Sequence, residues 1–171
     1  MRFPRITTLL PLILLALAPA ALAQELIGEA GKWQAYSYVE DGKKVCYMSA
    51  APDKSEGNYK VRGEVYAQVT HWPAFDRRDE VRFVAGYALK PEQDVVVTVD
   101  RKQKFTLFPD RESAWARDAQ TDRSLVQAMV KGGSMVVEGI SSRGTKTRDI
   151  YSLSGFGKMY QAISQACGLS G

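Results

Sequence analysis

The chain has 171 residues, 45% of them hydrophobic and 25% charged, with a formal charge of +4. That length supports one domain with a real core, and the composition excludes a disordered tail or a collagen-like fibre. Two cysteines are too few for a disulfide-dense miniprotein, and a single histidine leaves a zinc site short of ligands.

Residues 1–23 read as a cleavable secretory signal. Arg2 and Arg5 precede the apolar run Leu9–Leu17, and the small-x-small triplet Ala21-Leu22-Ala23 closes the segment. The run falls short of the ~20 residues that a spanning helix needs, and no cysteine stands at the cleavage point for lipid attachment. Cleavage after Ala23 leaves residues 24–171 as one β-rich domain. There 21 basic residues face 19 acidic ones, for a charge of +2. A chain so near neutrality lacks the electrostatic footprint of a nucleic-acid binder.

Period-two alternation then predicts a series of half-buried strands. Trp33–Val39 and Val45–Ser49 flank a loop whose Asp41-Gly42 pair is a hairpin signal. Lys60–Thr70 places Val61, Gly63, Val65, Ala67 and Val69 on one face, with Arg62 and its even-numbered neighbours opposite. Glu80–Leu89 alternates through Val81, Phe83, Ala85, Tyr87 and Leu89, and Asp94–Asp100 through Val95, Val97 and Val99. Phe105 and Leu107 continue the pattern beyond a polar turn. A helix over Arg123–Lys131, capped by Thr121 or Asp122 and stopped by Gly132, precedes a last hairpin, Met135–Ser141 and Thr147–Leu153. Ser154 caps a C-terminal helix in which Phe156, Met159, Tyr160, Ile163 and Cys167 share one face. The order of elements excludes β-α-β winding. It predicts an antiparallel β-sandwich or half-open barrel, with one helix before the last hairpin and a C-terminal helix packed on the sheet.

Cys46 and Cys167 allow one intramolecular pairing, a bolt between an early strand and the last helix; an intermolecular bridge is the alternative. The chemistry beyond that pair is sparse. There is no G-x-S-x-G elbow, and His71 reads as a lone histidine at a strand end. Asp76, Asp79 and Glu80 lie among Arg77 and Arg78, as on a solvated turn, and Asp110, Glu112, Asp118 and Asp122 mark loops and a helix start. Ser154-Gly155-Phe156-Gly157 is the nearest approach to an anion cradle, and a tight strand-to-helix turn explains it equally. No catalytic set, metal site or cofactor is expected.

Two surfaces remain. Tyr36 and Tyr38 share a strand face opposite Trp33, suited to a protein interface or a sugar ring. Arg143, Lys146 and Arg148 surround one turn, and Arg101, Lys102 and Lys104 another; such basic tips suit acidic lipid headgroups or polysaccharide, or simply blunt strand edges.

The segments G-K-W (31–33), K-K-V-C-Y-M (43–48), R-G-E-V-Y-A-Q-V-T-H (62–71), F-V-A-G-Y (83–87) and F-T-L-F (105–108) occur in an order that resembles the invasion-associated locus B family. The likeness continues through A-W-A (114–116), T-D-R-S-L-V-Q-A-M (121–129), M-V-V-E-G-I-S-S-R-G-T (135–145), Y-S-L-S-G-F (151–156) and Cys167. It implies an exported bacterial protein, periplasmic or envelope-associated, with no enzymatic activity to carry over. Many members have a further cysteine after the N-terminal tryptophan; residues 34–39 contain none, so only the Cys46–Cys167 bridge is carried over. The expected function is binding of an envelope or host-surface protein or glycan, with peripheral membrane contact open and the oligomeric state undetermined. The alternative is an envelope-polymer hydrolase using His71 and a nearby carboxylate. A folding helper working through an exposed strand edge is a third reading.

Overall fold

The computed structural model describes residues 24–169, so the expected signal peptide lies outside the described residues. The elements are β1 (Glu25–Ala30), β2 (Trp33–Glu40), β3 (Lys43–Ala50), β4 (Lys54–Gly57), β5 (Tyr66–Trp72), β6 (Arg77–Val84), β7 (Val95–Val99), β8 (Gln103–Asp110) and β9 (Ser113–Trp115). They are followed by α1 (Ala119–Lys131), β10 (Ser134–Ile140), β11 (Lys146–Ser152) and α2 (Phe156–Ala166). The eleven strands form one antiparallel sheet in the order β1-β2-β3-β5-β6-β9-β8-β7-β10-β11-β4.

One strand makes the corner. β8 pairs with β7 through Gln103–Leu107 and with β9 through Phe108–Asp110, so it belongs to both halves of the sheet. The halves then face each other. Phe83 of β6 meets Tyr151 of β11 edge-on at 6.4 Å, and the Trp33 indole on β2 donates to the carbonyl of Ser152, 3.0 Å away on β11, next to the opposite end of the strand order. The sheet curls without closing, with β1 and β4 as its ends. The expected mainly β, sandwich-like or half-open architecture with two helices is therefore the observed one.

Alternation explains the core. Trp33 and Ala35, Cys46 and Met48, Ala67 and Val69, Val81 and Phe83, Val95, Val97 and Val99, and Met135 and Val137 all fall on buried faces. Fully burying one large apolar side chain of this kind contributes about 1.5–3 kcal/mol. The β2–β3 hairpin turns on Asp41 and Gly42, both at positive φ (49° and 74°), as a two-residue connection between right-twisted strands requires. In α1, Leu125, Val126, Ala128 and Met129 are buried, and the helix packs against β6. In α2, Phe156, Met159 and Ile163 face β1–β3, and Phe156 meets Trp33 edge-on at 4.8 Å. The Cys46–Cys167 disulfide joins β3 to the residue that closes α2.

Four sequence expectations are corrected. Residues 60–65 are not strand: β5 begins at Tyr66, and Val61, assigned to the inner face, is 89% exposed. β6 ends at Val84, because Gly86 takes φ +70° and the chain leaves the sheet there. The cap of α1 is Asp118, whose carboxylate accepts the Thr121 N–H at 2.7 Å, so the helix starts one turn early. The cap of α2 is Gly155 rather than Ser154. Gly155 sits at φ +90°, and a Cβ there would lie 2.2 Å from the Ala30 carbonyl oxygen. The Phe156 N–H bonds to the Leu153 carbonyl, the geometry of a tight strand-to-helix turn.

Candidate functional site

Three regions concentrate polar and aromatic side chains. The first lies beneath α2. β5 and β6 pair with a register shift opposite His71, which places Asp79 in a bulge at φ +64°. The bulge aims the Asp79 amide N–H at His71 Nδ1 (3.1 Å) and the Asp79 carboxylate at Tyr160, whose hydroxyl donates to Oδ1 at 2.7 Å. On the other side of the imidazole, Nε2 lies 3.2 Å from the Ser164 hydroxyl, which itself donates to the Tyr160 carbonyl at 2.9 Å. Ser, His and Asp thus stand together, but with the wrong proton map for a nucleophile. An accepted N–H at Nδ1 puts the ring proton on Nε2, so the ring donates to Ser164 and cannot take its proton. His71 is 0% exposed, and burial holds its pKa below the ordinary imidazole value, with Arg78 adding to the effect and Asp79 opposing it. Burial first and Asp79 second raise the Tyr160 phenol to about 12. His71 stands near the strand end as expected, but it is buried and bonded rather than alone, and Asp79, expected on a solvated turn, is buried too.

Beside this region a cleft of about 400 Å³ gathers four more of the carboxylates named from sequence, Asp76, Glu80, Asp118 and Asp122, but not Asp110 or Glu112. Three of them are committed. Glu80 accepts from the Trp72 indole and from Arg77, Asp118 caps α1, and Asp122 accepts the Val81 N–H at 2.9 Å. Burial, with Asp79 and Asp118 adding to it, raises Asp122 to about 6.

The second region is the outward face of the first half-sheet. Tyr36 and Tyr47 are cross-strand partners and stack at 5.2 Å, and Tyr38 meets Tyr47 edge-on at 6.0 Å. Further along the same half, Arg82 lies over Tyr66 (6.0 Å) and Trp115 (5.3 Å). Tyr36, Tyr38, Tyr47, Tyr66 and Trp115 are all half-buried, with ring surface left to solvent.

The third region is a cleft of about 620 Å³ between the 58–63 segment and the β10–β11 turn. Arg62 lines it and is held from behind by an ion pair. Arg62 donates to both Asp149 oxygens at 2.7 and 2.6 Å and to the Ala85 carbonyl at 2.6 Å, and the two side chains are each 5% exposed. The guanidinium lies 5.4 Å from the Tyr59 ring centre and 5.0 Å from that of Tyr87. Burial works against the Arg62 charge, and the Asp149 carboxylate more than compensates, leaving the pKa above the usual arginine value. Gly63 donates to the Gly86 carbonyl at 2.8 Å, and a Cβ on Gly86 would come within 2.6 Å of the Gly63 oxygen. These contacts anchor the segment at Arg62 and Gly63.

Of the basic tip, Arg143 lines this cleft, Lys146 is exposed at the start of β11, and Arg148 is occupied by Glu56 at 3.2 Å. The tip and the Tyr36–Tyr38 face belong to different halves of the sheet and do not form one surface. Lys60, Arg62 and Tyr87 were not legible as site residues, because alternation assigns them to strands, and no pattern singles out Tyr59. The usable signal was a glycine inside each run, Gly63 and Gly86, which marks close backbone approach.

A family model described as Invasion associated locus B (IalB) protein matches residues 33–164. No curated protein and no solved structure matches the chain. Among the described residues, no helix is long and apolar enough to cross a membrane.

Proposed function

The chain belongs to the invasion associated locus B family, and on that premise we propose that it is an exported periplasmic or envelope-associated protein that acts by binding. Its partner is an envelope or host-surface protein, held on the Tyr36–Tyr38–Tyr47 face. The observation that carries this reading is the stacked tyrosine group on an outward sheet face, where packing of the core gives no reason for three adjacent aromatic rings. Tyrosine supplies large contact area with little side-chain entropy to lose and a hydroxyl that tolerates water. The non-catalytic part of the proposal is supported by His71: a sealed imidazole whose proton sits on the nitrogen facing Ser164 cannot serve as general base for an envelope-polymer hydrolase.

The test is a pull-down from cross-linked cell envelopes, comparing the protein with a Tyr36→Ala, Tyr38→Ala variant. A partner captured by the first and lost by the second is the expected result. Recovery of the same proteins by both moves the contact elsewhere, and turnover of a polymer by the purified protein removes the binding reading. Export predicts a cell-derived protein whose N-terminus is Gln24.

A further inference from the structure

We propose that the cleft between residues 58–63 and the β10–β11 turn is a binding site for an acidic saccharide, one carrying phosphate, sulfate or carboxylate groups. It is a different site from the tyrosine face and stands independently of it.

Charge is the first argument. Lys60 on one wall and Arg143 on the other are exposed, and neither has a carboxylate within 4.0 Å among the described residues. No Asp or Glu lines the cleft. Arg62 lines the cleft, but Asp149 behind it neutralises its charge, so the net field of the site is that of two free cations. The opposite holds in the 400 Å³ cleft, where arginines and carboxylates share the walls. A concave site of one sign raises the local concentration of oppositely charged ligand.

Shape and chemistry are the second argument. A cleft of about 620 Å³ is much larger than a single phosphate and falls in the range of small-ligand sites. Its walls carry the hydroxyls of Ser141, Ser142 and Thr145, and Tyr59 is 36% exposed. Hydroxyls for sugar oxygens, an aromatic ring for C–H faces and two cations for the acidic groups are together what an anionic sugar requires.

Rigidity is the third. Binding to a mobile loop loses affinity to ordering, and here the segment is anchored at Arg62 by its bidentate bonds to Asp149 and at Gly63 by its bond to the Gly86 carbonyl.

The experiment is calorimetric titration of the purified protein with a sulfated heparin tetrasaccharide, with vesicles displaying lipid A, and with neutral maltotetraose at matched concentration. Either acidic probe should bind, weakening as salt is raised, while maltotetraose should not. Which of the two binds tells whether the sugar comes from a soluble or a lipid-borne source. Lys60→Ala with Arg143→Ala should lower affinity at least about tenfold and leave the thermal midpoint unchanged. Lys102→Ala with Lys104→Ala, on the other basic turn, should change affinity less than about twofold. Equal loss in both variants means general attraction to a cationic surface and overturns the proposal. So does equal binding of maltotetraose, or no binding of either acidic probe.

Discussion

The space beneath α2 and the cleft at residues 58–63 are built on the same plan and end in opposite conditions. In each, a polar side chain from the first half of the chain reaches a partner late in it: His71 to Ser164, and Arg62 to Asp149. Beneath α2 the disulfide and the aromatic rings of α2 seal the network from water, whereas the cleft keeps its ion pair covered and leaves Lys60 and Arg143 outside. The difference teaches that residue identity is a poor guide to chemistry. Ser164, His71 and Asp79 have the membership of a catalytic triad, yet the bonds of His71 to Ser164 and of Tyr160 to Asp79 hold α2 down on the sheet. An arginine–aspartate pair, unremarkable in sequence, instead shapes a concave surface with unspent charge.

Breaking the sealed region should have the largest effect. Cys46→Ser should lower stability by roughly 5 kcal/mol in the chain-entropy account of a loop this long. Cys167→Ser should cost about the same and the double variant no more than either, by denaturant unfolding. Next comes the ion pair behind the cleft. Arg62→Met leaves a buried, unpaired carboxylate and should cost about 3–5 kcal/mol, and adding Asp149→Leu should recover most of that loss. A double variant no better than the single would mean that Arg62 acts through Tyr59 and Tyr87 rather than through its charge.

The smallest effect sharpens the margin between α1 and the sealed region. Asp122 is raised to about 6, so its contribution is present below the ordinary carboxylate range and lost as pH rises through about 6. Asp122→Asn keeps the acceptor for Val81 and removes the charge. It should therefore stabilise by about 1 kcal/mol at pH 7.5, the full displacement being reduced by partial solvent exposure, and by nothing near pH 3. The difference between the two proteins also cancels the opposite trend of His71, held neutral by the fold and destabilising as pH falls below the imidazole range.

Much of the fold could be read from alternation and punctuation. The hairpin at Asp41-Gly42, the valines of β7, the two helices and the Cys46–Cys167 staple all follow from local patterns that the tertiary structure respects. β1, β4 and β9 escaped because the pattern is weak there: β4 is the four-residue Lys-Ser-Glu-Gly, β9 has three residues, and β1 alternates little. Residues 60–65 were misread for a different reason. Val61, Gly63 and Val65 alternate as a strand would, but Arg62 is the residue that points inward, because Asp149 waits 87 positions later. Local sequence holds no trace of that partner. Of the surfaces, the tyrosine face was visible from period two, while the cleft required two distant segments to be brought together.

The Trp33–Ser152, Cys46–Cys167 and His71–Ser164 links span 119, 121 and 93 positions. Each ties the first half of the chain to its last quarter. A chain made from its N-terminus therefore exposes the apolar faces of β2, β3 and β5 until the final helix has been synthesised. Non-local pairing of this kind makes folding slow, and loss of even the last dozen residues would leave the first strands without a cover, in a state prone to associate through their edges.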